Sequence, residues 1–325
     1  MKVCIIGAGA IGGLLGARLA LSGCEVSAIA RGATATALRA HGFRVQSAEL
    51  PGGAPVTVAD RPEELGAQDL VVVAVKGPAM ASVAARMAPL LGADTMVLTA
   101  MNGVPWWFFD GFGGKFAGTR LTAIDPDGAI AAAIPRRHVI GCVVHIACSS
   151  PEPGLARHAF GNQLIIGEPD GKMSARVMAL ATTLAKAGFA APVSKSIQAD
   201  IWYKLWGNMT MNPVSALTGA TSDRILDDPL ILKFCLDVMA EAAAIGTAIG
   251  CPIAQSGADR IAITRTLGAF RTSMLQDVEA GKPVELDALV SAMREIGVRA
   301  GIATPNIDAL LGLARLQAKV RGLYP

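Results

Sequence analysis

CIIGAGAIGGLLGARLA, residues 4–20, places Gly7, Gly9 and Gly12 between an apolar run and an Ala/Leu-rich one. A glycine turn that follows a strand and opens a helix presents backbone N–H groups and the positive end of the helix dipole to a pyrophosphate. The spacing alone is a weak signal, so its surroundings must support it. KVCII (2–6), EVSAIA (25–30), DLVVVAVK (69–76) and TMVLTAMN (95–102) read as buried strands. PAMASVAARMAPLL (78–91) reads as a helix between the last two. Strands alternating with helices indicate a parallel sheet covered on both faces.

RRHVIGCVVHIACSS (136–150), LARHAF (155–160) and QLIIGE (163–168) read as shorter strands that extend the sheet. At GEPDGK (167–172) the pattern changes, with helical stretches over 173–187, 196–217 and 223–249 and several more after 256. The fold expected is α/β: a Rossmann-like doubly wound parallel sheet over residues 1–170, then an all-helical substrate and catalytic domain over 171–325. No repeat or low-complexity linker interrupts it.

The bulk composition agrees. The chain has 325 residues, 52% of them apolar, with 36 glycines and only 5% aromatics, which suits a compact α/β protein and argues against disorder. Its 29 basic and 26 acidic side chains are too evenly balanced to imply a nucleic-acid or membrane-surface partner. Mean hydropathy is +0.45, but the best candidate membrane span, residues 242–258, is rich in small residues and broken by Pro252. A cytoplasmic protein is expected. The six cysteines form no CxxC pair and read as buried thiols. Cys142, His145 and Cys148 imitate a metal site, but alternation along a strand divides them between two faces, so no metal is expected.

A dinucleotide fold also requires a residue after the second strand to read the adenosine ribose. SAIARGATAT (27–36) supplies Arg31 and no carboxylate, which favours the 2′-phosphate of NADP(H) over the 2′-hydroxyl of NAD. Lys76 and Asn102 end two strands on the side where open sheets bind ligands, although Asn102-Gly103 is also a plain turn signal. In DIWYKLWGNMTMNP (200–213), Lys204, Asn208 and Asn212 recur every four residues along one helical face, among Trp202, Leu205, Trp206, Met209 and Met211. Pro213 is expected to kink or loosen that helix near Asn212. A lysine and two amides set among large apolar groups suit carbonyl reduction. The ammonium stabilises and protonates the oxygen as hydride arrives, and the amides orient the substrate. Further on, Ser273 and Glu285 read either as surface groups or as partners of a substrate carboxylate and of the lysine.

Taken in order, GAGAIGG, Arg31, VK at 75–76, NG at 102–103, WYKLWGNMTMNP at 202–213, SMLQD at 273–277 and VELD at 284–287 give the chain a resemblance to the ketopantoate reductase family over nearly its whole length. The resemblance implies NADPH-dependent reduction of 2-dehydropantoate to (R)-pantoate, on the route to pantothenate and coenzyme A. By motif, Lys204 is the proton donor, with Glu285 beside it as a second catalytic group. Asn102, Asn208, Asn212 and Ser273 are substrate contacts, Ser273 on the carboxylate. Gly7, Ala8, Gly9, Ala10, Ile11, Gly12, Arg31, Lys76, Asn102, Ala147 and Glu285 match cofactor positions. Two departures stand out. Ser222 falls where the family often has a substrate-contacting asparagine and is able to cap a helix. VPWWFFDGFGG (104–114) is a bulky aromatic insertion expected beside the cofactor's reactive end. The alternatives are a paralogous reductase of another 2-oxo or 3-hydroxy acid and a non-catalytic NADP sensor. A homodimer through the helical half is a further possibility.

Overall fold

The computed structural model describes residues 1–47 and 52–325. The chain divides into two compact units, Met1–Met101 with Gly128–Asp200, and Asn102–Asp127 with Ile201–Pro325. Against the boundary expected at residue 170, everything up to Asp200 groups with the sheet. Backbone bridges Gln163–Ala190 and Ile166–Val193 hold that stretch there. Residues 102–127 group with the helices instead.

The first unit contains strands β1 (Lys2–Ile6), β2 (Glu25–Ile29), β3 (Phe43–Gln46), β4 (Gly52–Ala54), β5 (Thr57–Ala59), β6 (Gln68–Val73), β7 (Leu91–Thr99), β8 (Val139–Glu152) and β9 (Leu155–Gly167). Its helices are α1 (Ala10–Leu21), α2 (Gly32–His41), α3 (Met80–Ala84), α4 (Ala129–Ala133) and α5 (Ala175–Lys186). The strand order is β4-β3-β9-β8-β7-β6-β1-β2-β5. Neighbours from β5 through β2, β1, β6 and β7 to β8 all pair in parallel. β1 lies between β2 and β6, where the strand order reverses, the place at which doubly wound sheets bind ligands.

Beyond β8 the sheet is mixed. β9 runs antiparallel to β8, β3 parallel to β9, and β4 antiparallel to β3. The two short strands expected after residue 155 are thus one strand of 13 residues paired with a 14-residue β8. The segment between β6 and β7 forms only the five-residue α3 between short 3₁₀ turns at Gly77–Ala79 and Ala88–Leu90. Pro78 and Pro89 remove N–H donors and restrict the residues before them, so a continuous 78–91 helix does not form.

The extra strands explain why α1 is apolar all round. It packs on β3, β4, β8 and β9 as well as on β1 and β2, and Gly12 through Leu19 are all buried. Gly16 is small enough to admit the Phe43 ring. Arg18 is buried too, donating to the Gly188 carbonyl at 2.8 Å and lying over the Phe189 ring.

The second unit is built on α6 (Ile197–Thr218), whose first four residues belong to the sheet unit, followed by α7 (Ser222–Asp227), α8 (Pro229–Ile249), α9 (Gly257–Arg265), α10 (Ser273–Glu279), a π-helical turn at Asp287–Ser291, α11 (Ala292–Ala300) and α12 (Pro305–Val320). The helix expected over 223–249 divides at Asp228. Its carboxylate accepts from Leu230 and Ile231 N–H at 3.0 Å, and Pro229 occupies the first position of α8. Gly250, at φ +88°, ends α8, so residues 242–258 form a helix end and a loop. Among the described residues, no helix is long and apolar enough to cross a membrane.

Two carboxylates tie distant segments together. Glu241 accepts from the N–H groups of Asn306 and Ile307 at the start of α12, both at 2.9 Å. Glu295 accepts from Thr122 at 3.0 Å and Ala123 at 2.9 Å and pairs with Arg299. Burial alone would raise the Glu295 carboxyl, but the Ala123 and Thr122 amides and the Arg299 guanidinium together hold it below the ordinary carboxylate value. A lowered carboxyl contributes stability above its unfolded pKa and loses it as pH falls through the folded one. Glu295→Gln is therefore expected to lower the unfolding free energy by about 1–3 kcal/mol at neutral pH. In denaturant titrations the gap from wild type should close as pH falls below the carboxylate range. A gap that widens on acidification would refute the assignment.

Candidate active site

Two constellations emerge, one in each unit. In the first, β1 ends in the glycine turn. Gly7 has φ +95°, and a Cβ there would come within 2.6 Å of the Ala74 carbonyl oxygen. A Cβ on Gly12 would collide with the Gly7 carbonyl oxygen and press on Ala74. These two glycines let α1 start directly against the sheet. A Cβ on Gly9, by contrast, would meet nothing within 4 Å. Gly9 is the N-cap of α1 with no side chain covering the helix start. Ala8, Ala10 and Ile11 complete the turn. A tight approach at Gly7 and Gly12 with open space at Gly9 is the form that fits a dinucleotide pyrophosphate.

Arg31 is the exposed, extended N-cap of α2, immediately beyond β2. Lys76 caps the 3₁₀ turn after β6 and is half-buried. Ala147 lies on β8 between two register shifts. Cys148, next to it, donates its thiol to the Ala10 carbonyl at 3.2 Å. Burial pushes that thiol up to about 11, and those of Cys4 and Cys235 up to about 12, so none of these three is a thiolate nucleophile near neutral pH. Cys142 is buried and His145 exposed. Among the described residues, no group of three or more His, Cys, Asp or Glu side chains is placed to hold a metal.

In the second unit, α6 is one helix that continues through Pro213 to Thr218. Its Trp202 and Trp206 indoles donate to the Ala242 and Met239 carbonyls of α8 at 3.3 and 2.8 Å, which fixes the rotation of α6. Lys204 and Asn208 fall on the adjoining, half-buried face. Lys204 Nζ donates to Asn102 Oδ1 at 2.7 Å. Two turns further on, the buried Asn212 donates through Nδ2 to Ser273 Oγ at 3.4 Å, at the first position of α10. Glu285 is half-buried in the extended stretch before the π-helical turn. Thus Lys204 meets Asn102, and Asn212 meets Ser273, across 102 and 61 residues of chain.

The structure places Ser222 and the aromatic insertion in buried surroundings. Ser222 is 1% exposed. Its hydroxyl donates to the Gly268 carbonyl at 2.8 Å and accepts from the Phe270 N–H at 3.1 Å, so it fastens a loop and is not available to a substrate. The N-cap of α7 is Thr221, not Ser222. The aromatic insertion is core: Trp106, Trp107, Phe108 and Phe109 are all buried, with Phe108 packed on Trp202, Phe109 and Phe112. One residue that no motif singled out, Arg260 of α9, lies against Tyr203 and Gly207 of α6. Its sequence trace is Gly207 itself, a glycine inside a helix with no turn to make.

Comparison with known proteins places these features in context. The family model described as "Ketopantoate reductase PanE/ApbA" matches residues 3–107, and "Ketopantoate reductase PanE/ApbA C terminal" matches residues 196–318. The chain is 47% identical over 325 residues to the 2-dehydropantoate 2-reductase of Mesorhizobium japonicum, covering 100% of both. A ketopantoate reductase homologue from Ralstonia solanacearum superposes with a TM-score of 0.96 at 58% identity, covering 99% of each chain. A D-mandelate dehydrogenase with NADH and anilino(oxo)acetate shares the fold, with a TM-score of 0.83 at 20% identity over 99% of this chain and 100% of that one.

The glycine turn makes a paired prediction. Gly12→Ala should destabilise the protein by about 1–3 kcal/mol through overpacking. Gly9→Ala should leave thermal unfolding within about 0.5 kcal/mol of wild type yet abolish the rise in Tm on adding a nicotinamide dinucleotide. Full retention of that rise in Gly9→Ala would remove the pyrophosphate from this turn.

Proposed function

The chain belongs to the ketopantoate reductase family, a family of oxidoreductases, and from that premise we propose that it reduces 2-dehydropantoate to (R)-pantoate with NADPH and Lys204 as proton donor. The observation that carries this reading is the 2.7 Å bond from Lys204 Nζ to Asn102 Oδ1 on the half-buried face of α6. The Asn102 amide oxygen is a neutral acceptor that aims the amine without itself taking the proton.

The residues divide the work as follows. Gly7 through Gly12 hold the dinucleotide pyrophosphate, Arg31 reads the 2′-phosphate, and Lys76 and Ala147 lie along the cofactor. When bound, the reduced dinucleotide supplies the hydride. As the 2-oxo carbon is reduced, charge builds on its oxygen. The Lys204 ammonium stabilises that charge and then gives up a proton, leaving a neutral amine and a 2-hydroxy acid. Asn102 and Asn208 orient the keto group, and Asn212 positions the Ser273 hydroxyl for the substrate. Glu285 favours the charged form of the lysine between turnovers.

One observation favours a second reading, a reductase of the same family acting on a different 2-oxo acid. With Ser222 committed to the 268–270 loop, its expected substrate contact is missing. Steady-state comparison of 2-dehydropantoate with other 2-oxo acids separates the two, and a much larger kcat/KM for another acid would replace the named substrate.

Two measurements test the assignments. Lys204→Ala should lower kcat by about 10²–10⁴-fold, the usual contribution of a general acid, with NADPH affinity kept, as followed at 340 nm. Equal rates would remove Lys204 from the mechanism. Arg31→Ala should weaken NADPH by about 1–3 kcal/mol and NADH far less, as read by fluorescence titration. Equal weakening of both would contradict the 2′-phosphate contact.

A further inference from the structure

Arg260 lies across the middle of α6. Its guanidinium carbon is 5.1 Å from the centroid of the Tyr203 ring, and a Cβ on Gly207 would stand 3.1 Å from Nη2 and 3.2 Å from Nε. The glycine is what lets the group rest directly against the helix. Tyr203 is held in turn, its hydroxyl donating to Gln255 Oε1 at 2.7 Å just ahead of α9. Arg260 Nε is buried without a hydrogen-bond partner, and among the described residues no carboxylate or carbonyl accepts from the guanidinium.

That arrangement is unusual for an arginine used only for stability. The group carries five donors and keeps its charge at any physiological pH. Stacking on an aromatic face satisfies none of the in-plane donors, and a buried donor left unsatisfied is destabilising. The same planar fork matches the two oxygens of a carboxylate. The Tyr203–Gly207 row adjoins the Lys204–Asn208 row, since successive helix residues are offset by about 100° and 1.5 Å. Lys204 starts the proposed reaction as a cation and ends it neutral, and Ser273 is neutral throughout. Neither keeps a constant positive charge against the acid.

We propose that Arg260 binds the carboxylate of the 2-oxo acid and is the residue that selects an acid over its uncharged analogues. This rests on the reductase reading above and extends it: Arg260 supplies permanent charge where Ser273 supplies only a hydroxyl.

The test compares a 2-oxo acid with its methyl ester as substrates for wild type, Arg260→Gln and Arg260→Lys, with NADPH saturating. In Arg260→Gln, kcat/KM for the acid should fall by about 10–100-fold, the loss of one charged hydrogen-bonded contact. The loss should be mainly in KM, while the ester, which has no charge to bind, changes little. Arg260→Lys should recover part of the acid's KM. If Arg260 only props Tyr203, acid and ester lose activity together and their ratio stays at the wild-type value, which overturns the assignment. Wild type that reduces no 2-oxo acid overturns the reductase reading first, and this assignment with it. Wild type active on the acid, with the acid-to-ester ratio intact in Arg260→Gln, overturns Arg260 alone.

Discussion

The rotation of α6 about its own axis is the constraint on which the catalytic unit depends. Two indoles one turn apart, Trp202 and Trp206, are both buried and both donate to backbone carbonyls of α8. Gly246 of α8 has no room for a Cβ beneath the Trp202 ring. Turning α6 by one residue would break both bonds and drive the Lys204 amine toward the core, where an unpaired charge is strongly disfavoured. Packing of the apolar face thereby decides which side chains the other face presents. The same helix binds its unit together and displays the groups that meet Asn102 and Ser273.

The sheet unit reaches a comparable result with glycines. At Gly7 and Gly12 the absence of a side chain brings α1 hard against the strands, and at Gly9 it leaves space beside the helix start. Elsewhere, long-range carboxylates do what short loops do in simpler folds. Glu241 caps α12 from α8, and Glu295 gathers the amides of residues 122 and 123 onto α11. Segment 102–127 is thus drawn into the helical unit from both ends, by Glu295 at one and by the buried aromatics at the other.

How much of this was legible in the sequence depended on how local each signal was. β1, α1, β2, β6 and β7 announce themselves because a buried parallel strand is a continuous apolar run and the glycine turn separates it from a helix. β3, β4 and β5 are three or four residues long and show no period, so nothing marks them, although β3 and β4 help to make α1 apolar on every side. From its place after Asn102-Gly103, the 104–114 segment reads as an aromatic insertion beside the cofactor's reactive end, and the sequence says little of how deeply it is buried. Its four consecutive aromatics were the better guide, since rings of that size are seldom left in water. At Thr221-Ser222 the sequence offers two hydroxyls for one capping role, and in the fold neither caps: Thr221 holds the N-cap position with its hydroxyl on Asp223, and Ser222 bonds the 268–270 loop. The Lys204–Asn208–Asn212 stripe was readable from spacing. Its partners Asn102 and Ser273 were found as separate motifs, and their pairing appears only in three dimensions. Arg260 carries no spacing signal at all.

The burial of α1 has a consequence for how the molecule is made. This helix is finished by residue 21, but Arg18 at its end is held by Gly188 and Phe189, and the β9 strand that covers it ends at Gly167. On the ribosome, at about 5–20 residues per second, the segment must wait roughly ten to thirty seconds for its cover to emerge. Throughout that interval the helix, Arg18 apart, is an apolar cylinder with no finished place to go. Shielding of the nascent chain, as much as the stability of the finished fold, will govern the yield of active protein.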